Sequence, residues 1–577
     1  MRKLFVYYKP YIGLLLGLIV LLIARSLSEL FLPSLNKDII NNGILTLDIG
    51  YIWRTGGVML AITLLLGAVS ILVNYLSARI SMAFGRDLRK AIFSKVESFA
   101  VGELEQIGTP SLITRTTNDV QQIQQAGLMF MRLMISAPLM AVGGVILAIQ
   151  QDAPLSLALV VIIPMILILL AVLMKKAFPL FKQMQKKTDQ LNLVLREKLS
   201  GIRVIRAFVK TAYEEARFEA ANMDLTKTSL TVNRMMAFLI PSLMLMMNVS
   251  ALFIYWFGAG RIDAGEMQIG NLAAFLAYIM LILFAVMMAS MLFIMLPRAM
   301  ASAERISEVL DLSSTIRDPD EADRIEYTPP FSSLRFENVS FRYPGAEDAI
   351  LENISFEVRP GETLAILGST GCGKSTLINL IPRLYDVSEG SVQINGTDIR
   401  RFRLKELFRL IGFVPQKSFL FRGSVADNVR YGKENASDDE ILEALRVAQA
   451  EDFVSEMSEK EHTEITQGGS NVSGGQRQRL AIARALIKNP AVYVFDDSFS
   501  ALDYKTDAAL RKALKAKTVS SAVLIVAQRI STVLHADRIL VLEDGRIAGL
   551  GSHKELMESC AVYKEIVLSQ VSAEEIS

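Results

Sequence analysis

At 577 residues the chain is too long for one ordinary domain, and 51% hydrophobic residues against 21% charged favour a membrane protein over a wholly soluble one. A formal net charge of +2 argues against a nucleic-acid partner, which would call for a strongly basic face. Two cysteines, Cys372 and Cys560, and three histidines suggest neither a disulfide framework nor a zinc cluster.

The first candidate span, "PYIGLLLGLIVLLIARSLSELFL", runs uncharged for 15 residues before Arg25, with Glu29 four positions on and on the same helix face. It reads as a crossing whose two charges neutralise each other, or as an interfacial pair near the outer end. No small-residue cleavage site follows it, which disfavours a signal peptide. Five longer uncharged stretches follow: Thr55 to Ala78 (24 residues), Leu133 to Gln151 (19), Ala153 to Met174 (22), Met235 to Gly260 (26) and Met267 to Pro297 (31). A helix needs about 20 apolar residues to cross the hydrocarbon core, so six spans are predicted.

Basic residues concentrate before the first span and in alternate connections: Arg2, Lys3, Lys9, Arg86, Arg89, Lys90, Lys95, Lys175, Lys176, Lys186 and Lys187. The positive-inside rule then places both termini and the whole second half in the cytoplasm of a multi-pass protein of the cell (plasma) membrane. The connections from about Arg79 to Arg132 and from about Lys175 to Arg234 are too long for structureless loops. Their helix-forming content predicts that the spans continue into the cytoplasm, where they could touch the soluble half and carry force.

Hydropathy ends near Pro297, and the charged stretch "RDPDEADRIEYTPPF" reads as a linker. Beyond it "LRFENVSFRY" alternates like a strand, "TLAILG" reads as a buried strand and "GKSTLINLIPRL" as an apolar-faced helix, the pattern of an α/β domain. The predicted division is a membrane domain over 1–315, a linker over 316–332 and a nucleotide-binding domain over 333–577.

Residues 368 to 375, Gly368, Ser369, Thr370, Gly371, Cys372, Gly373, Lys374 and Ser375, fit the phosphate-loop pattern between a strand and a helix. Backbone amides and the helix N-terminus would approach the phosphates, Lys374 would reach the β- and γ-phosphates, and the Ser375 hydroxyl would ligate Mg²⁺. Further on, "VYVFDD" ends an apolar run at Asp496, placed to hold Mg²⁺ through water. "SGGQ", Ser473, Gly474, Gly475 and Gln476, opens a helix and offers a second anion site.

With "GSTGCGKST", "VPQKSFLF", "NVSGGQRQRL", "VYVFDD", "SALD" and "LIVAQRIST" in that order, the chain resembles an ATP-binding-cassette (ABC) exporter half-transporter over essentially its whole length. The resemblance implies an all-α six-helix transmembrane domain of the type I exporter kind, followed by an α/β P-loop ABC nucleotide-binding domain that binds ATP and Mg²⁺ and drives export. It implies that Tyr343 stacks on adenine, that Thr376 belongs to the phosphate-loop site, and that Gln416 senses the metal and the attacking water. It also implies that each cassette closes its signature over nucleotide held by the other.

Two positions depart from the pattern of hydrolysing cassettes. Asp497 stands where that pattern has glutamate, and Gln528 where it has histidine. An aspartate carboxylate falls short by roughly 1.5 Å, a misplacement that can cost about 10²-fold, and a glutamine cannot carry the positive charge a histidine can. A smaller departure, Thr466 or Gln467 in place of a glutamate before the signature, supports no mechanistic conclusion. The expectation is the degenerate-site subunit of a heterodimeric bacterial multidrug exporter, paired with a second half-transporter. The alternatives are a homodimer with two slow sites, an ATP-binding membrane regulator, and a soluble cassette protein acting on nucleic acid, which the spans disfavour.

For cargo, spans five and six carry Met235, Met236, Met244, Met246, Met247, Met280, Met287, Met288, Met291 and Met295. Methionine suits a surface accepting varied apolar molecules, although in a membrane helix it also serves packing and lipid contact. An amphiphilic drug-like or lipid-like molecule is the expected cargo, and Asn248 reads as a contact to a neighbouring helix or to that cargo.

Overall fold

Among the residues that the computed structural model describes, 2–570, six helices are long and apolar enough to cross a membrane. They are α1 (Ile12–Asp38), α2 (Ile49–Glu97), and, after the short α3 (Val101–Ile107), α4 (Val120–Gln151), α5 (Ala153–Ser200), α6 (Thr211–Asp263) and α7 (Ile269–Asp311). The helices α2, α5 and α6 have 49, 48 and 53 residues. At about 1.5 Å per residue each is more than twice the ~30 Å hydrocarbon thickness, so a large part of each lies beyond the lipid.

The chain divides into two units, Met1–Val96 with Pro110–Asp311, and Glu97–Thr109 with Leu312–Ser577. In the first, α4 packs along α7, α5 along α6, and α1 against both α4 and α7. Close approach needs small residues: a Cβ at Gly144 on α4 would stand 2.8 Å from Ile282 Cγ1 on α7. Polar side chains then lock the ends of the helices. Asn41 Nδ2 donates to Asn271 Oδ1 at 3.1 Å, Asn41 Oδ1 accepts from the Gly270 amide at 2.8 Å, and Asp152 caps α5 while pairing with Arg261 at 2.9 Å. Near the start of α4 the buried Asp119 accepts from Ser302 Oγ at 2.9 Å and from Arg305 Nε at 2.8 Å on α7.

The second unit has two main sheets. One, antiparallel, joins β1 (Leu334–Phe341), β2 (Leu351–Val358), β4 (Glu389–Ile394) and β5 (Thr397–Asp398) in the order β2-β1-β4-β5. The other contains β3 (Thr363–Gly368), β6 (Ile411–Val414), β7 (Val492–Asp496), β8 (Ala522–Val526), β9 (Arg538–Glu543) and β10 (Arg546–Gly551) in the order β10-β9-β3-β8-β7-β6. Its strands are parallel except β10, and β7 and β8 are buried throughout. Strands covered on both faces read as unbroken apolar runs, which is why "VYVF" and "AVLIV" show no alternation.

The segment Glu97–Thr109 links α2 to the helices that follow and belongs to this second unit. Its helix α3 has only 7 residues, and Glu103 holds it by accepting from the Ala100 amide at 2.8 Å and the Thr315 amide at 3.0 Å. Glu105 accepts from the Tyr385 hydroxyl at 3.1 Å.

Asp119→Ala leaves Arg305 and Ser302 without their carboxylate and is expected to cost about 2 kcal/mol. The thermal-denaturation midpoint of the purified protein should fall, with Asp119→Asn between wild type and alanine; an unchanged midpoint in both would remove this cluster from the account of stability.

Candidate nucleotide site

The site grows from the end of β3, which lies between β8 and β9 in parallel register. Gly368 ends that strand at φ +157°, and a Cβ there would lie 2.2 Å from Leu542 O and 2.6 Å from Cys372 Sγ, so the chain can turn into the loop only without a side chain. The loop from Ser369 to Gly373 then passes into helix α8 (Lys374–Asn379). Lys374 is 9% exposed, and its ammonium donates to Gly368 O at 2.9 Å and Ser369 O at 2.6 Å, with Cys372 Sγ 3.7 Å away. A buried cation held by neutral groups in a loop at a helix N-terminus is chemically matched to a phosphate chain.

Ser375 Oγ lies 3.5 Å from Asp496 Oδ1, so the hydroxyl and the carboxylate expected to share a metal face each other. Burial raises the Asp496 carboxyl above its ordinary range and the neighbouring charge of Asp497 adds to this, while Ser375 and Lys374 oppose it. Asp497 is likewise raised, first by burial, against the hydrogen bond from Gln416. Two adjacent carboxyls raised in this way suit a dication, so the residues present fit Mg²⁺.

Asp497 is the meeting point of the three residues singled out for catalysis. Gln416 Nε2 donates to its Oδ2 at 3.3 Å and Gln528 Nε2 donates to the same oxygen at 3.2 Å. The backbone of Asp497 sits in the left-handed region at φ +46°, its amide bonded to Val526 O at 3.0 Å and its carbonyl accepting from Ser500 Oγ at 2.9 Å and Gln478 Nε2 at 3.3 Å. A strained residue held by its neighbours fixes a side chain in one place.

Tyr343 is half-buried beside the phosphate loop, its hydroxyl 3.1 Å from Thr376 Oγ1 and its ring edge-on to Phe341 and Tyr385 at 4.9 and 5.3 Å. The signature forms a separate station. Ser473 caps α9 (Gly474–Leu486), accepting from the Gln476 amide at 3.2 Å, while Gln476 Oε1 accepts from the Ser473 amide at 2.9 Å. Among the described residues the side chains of Ser473 and Gln476 bond each other's amides and not the phosphate loop of the same chain.

Sequence reading missed several supports. Ser498 is fully buried and bonds Val414 O at 3.1 Å and Asp496 O at 3.2 Å, tying the turn after β7 to β6. Beyond α10 (Tyr504–Lys517), Gln570 at the end of α11 (Ala561–Gln570) accepts from the Ile530 amide at 2.9 Å and donates to Gln528 O at 2.9 Å, holding the segment that carries Gln528. Ser498 directly follows the acidic pair and was within reach of that motif. Nothing in the sequence pattern links Gln570 to a residue 42 positions away.

Comparison with known proteins accounts for both halves. Residues 15–287 match the ABC transporter transmembrane region and residues 351–500 match the ABC transporter cassette. An uncharacterised ABC transporter ATP-binding protein of Mycobacterium tuberculosis is 43% identical over 573 residues, covering 98% of this chain and 97% of the relative. The ABC transporter ATP-binding protein YfiB of Bacillus subtilis is 39% identical over 576 residues, covering 100% and 99%. The solved structure of a bacterial Atm1-family ABC exporter with ATP bound has the same fold, with a TM-score of 0.79 at 23% identity over 97% of this chain and 98% of that one. With a six-helix membrane unit and a phosphate-loop cassette on one polypeptide, the chain belongs to the ABC transporter family and is an ATPase that drives transport across a membrane.

Proposed function

We propose that the chain is the weakly hydrolysing subunit of a heterodimeric exporter in the cell membrane, with its cassette and both termini cytoplasmic. The observation that carries this reading is the state of Asp497: its short carboxylate already accepts from Gln416 and Gln528 through one oxygen. A general base must reach the proton it abstracts within about 2.6–3.2 Å, and this acid is both withdrawn and occupied. Binding groups, by contrast, are complete. Tyr343 would take the adenine face, Lys374 the phosphates, and Ser375, Asp496 and Gln416 would hold Mg²⁺, which when bound neutralises phosphate charge.

Two surfaces support assembly with a second half-transporter. Among the described residues, the capped N-terminus of α9 presents a signature whose cap bonds are made within the motif and not to the phosphate loop of its own chain. The turn between α5 and α6 is tipped by Phe208 at 73% and Val209 at 86% exposure, an apolar tip that water does not favour. A partner's bound nucleotide covers the first and a partner's cassette the second. The partner's phosphate loop, closed by Ser473 to Gln476, performs most of the hydrolysis. Alternating access moves an amphiphilic, drug-like or lipid-like cargo outward.

Asp497→Glu combined with Gln528→His is expected to raise ATP turnover at this chain's own site by about 10²-fold, measured with the partner's site disabled. Brisk hydrolysis by the unmodified chain alone, unaffected by these changes, would overturn the asymmetric reading. Ser473→Ala should reduce ATPase activity of the complex at least tenfold, although this chain's own phosphate loop is untouched; a loss no greater than that from Lys374→Ala points instead to two equivalent slow sites. Phe208→Asp with Val209→Asp should shift the purified protein toward the single-chain mass in size-exclusion chromatography with light scattering.

A further inference from the structure

The first unit has an open cavity of about 760 Å³ whose walls come from α1, α2, α5, α6 and α7. That volume suits a drug-sized molecule. The wall is apolar except at two positions on α1, Glu29 and Asn36, and much of the remainder is deformable or aromatic: Met59, Met247, Met280, Met287 and Phe284. Of the methionines named from the sequence, Met247, Met280 and Met287 line the cavity, Met280 being exposed within it, whereas Met244 and Asn248 are exposed outside it and the Met291 side chain is not among those described.

Glu29 lines this space together with Pro33. Glu29 therefore brings a carboxylate to a wall that is otherwise apolar but for Asn36. The carboxylate is answered by Arg25 Nε at 2.9 Å, one turn down the same helix, and Arg25 does not line the cavity. The Glu29 side chain keeps 25% of its surface accessible. The cavity thus offers the acid and not its partner.

We infer that this cavity binds an amphiphile bearing one protonated amine. Its apolar body fills the methionine and phenylalanine wall, and its ammonium donates to the Glu29 carboxylate, taking over from Arg25. A charge-assisted bond beside an apolar wall is stronger than a neutral one. A neutral analogue of the same shape gains the apolar contacts only. An anion meets the carboxylate and is rejected. This assignment rests on the reading of the membrane unit as the cargo path.

The test is a fluorescence titration of the full-length protein, without nucleotide, in an uncharged detergent, using 1,12-diaminododecane dansylated at one nitrogen, with the other nitrogen either free or acetylated, as probes. Wild type should bind the amine at least tenfold more tightly than the acetamide. Glu29→Gln should abolish that preference and leave the acetamide unchanged. Arg25→Met, which frees the carboxylate, should tighten the amine severalfold; a pair that only stabilises the helix gives no such opposite signs. Where Glu29→Gln alone fails to fold because Arg25 is left unpaired, the doubly neutral Arg25→Met/Glu29→Gln protein replaces it and should likewise show no preference. Equal affinity for amine and acetamide in wild type, or a shift of the same sign in both single variants, overturns the assignment. Because no nucleotide is present, these outcomes are independent of whether ATP-dependent movement of cargo occurs, which vesicle flux measures separately.

Discussion

The parallel register of β3, β8 and β7 governs the cassette. Val526 on β8 pairs with Ile366 on one side and Asp496 on the other, so three strand ends stop in line. One end opens into the phosphate loop, the next leads to Gln528, and the third carries Asp496 and Asp497. In parallel α/β sheets ligands gather at the carboxyl ends of strands because helices fill the faces and leave only that edge open. From this register follow the facing of Ser375 and Asp496 at 3.5 Å and the convergence of Gln416 and Gln528 on one oxygen of Asp497. The buried Ser498 and the left-handed backbone at Asp497 keep that end from relaxing.

How far the sequence discloses this arrangement depends on how local the determinants are. The phosphate loop, the acidic strand end and the signature are each short motifs whose backbone geometry is set by neighbours, so glycine and aspartate positions announce them. The six spans are legible because hydrocarbon demands long uncharged runs. What escapes is made by distant pairs. Gln570 reaches Gln528 from α11, Gln478 reaches the Asp497 carbonyl from within α9, and Tyr385 meets Glu105 across 280 positions, with no periodicity to mark any of them. The assignment of Glu97–Thr109 to the second unit belongs to the same class, since its anchors, Glu103 to the Thr315 amide and Glu105 to Tyr385, are single side chains.

The membrane unit obeys a different rule. Apolar surface there gains little from association, so polar residues and close backbone approach decide which helices pair. Asp152 with Arg261, Asn41 with Asn271, and Asp119 with Arg305 each join elements far apart in the chain, and each places a charge or amide where an unpaired one would be expensive. Arg25 and Glu29 differ from these pairs, because both lie on α1 and join nothing. A charged pair that does not hold two helices together has no packing task of this kind, and its acidic member lines the cavity formed by five helices of the unit. That contrast separates Glu29 from the structural charges.

On the proposed reading, slow hydrolysis at this chain's site is an energetic arrangement rather than a loss. Driving a two-state equilibrium from 1:99 to 99:1 takes about 5.5 kcal/mol of differential binding. If both cassette sites released their nucleotide in every cycle, the whole difference would have to be supplied and dissipated each time. On that reading a site that retains ATP adds a constant bias toward contact, which sets where the equilibrium rests, while the swing itself is supplied by nucleotide binding and release at the partner's site. The two amides on Asp497 would then act on the resting position and the partner's site on the stroke.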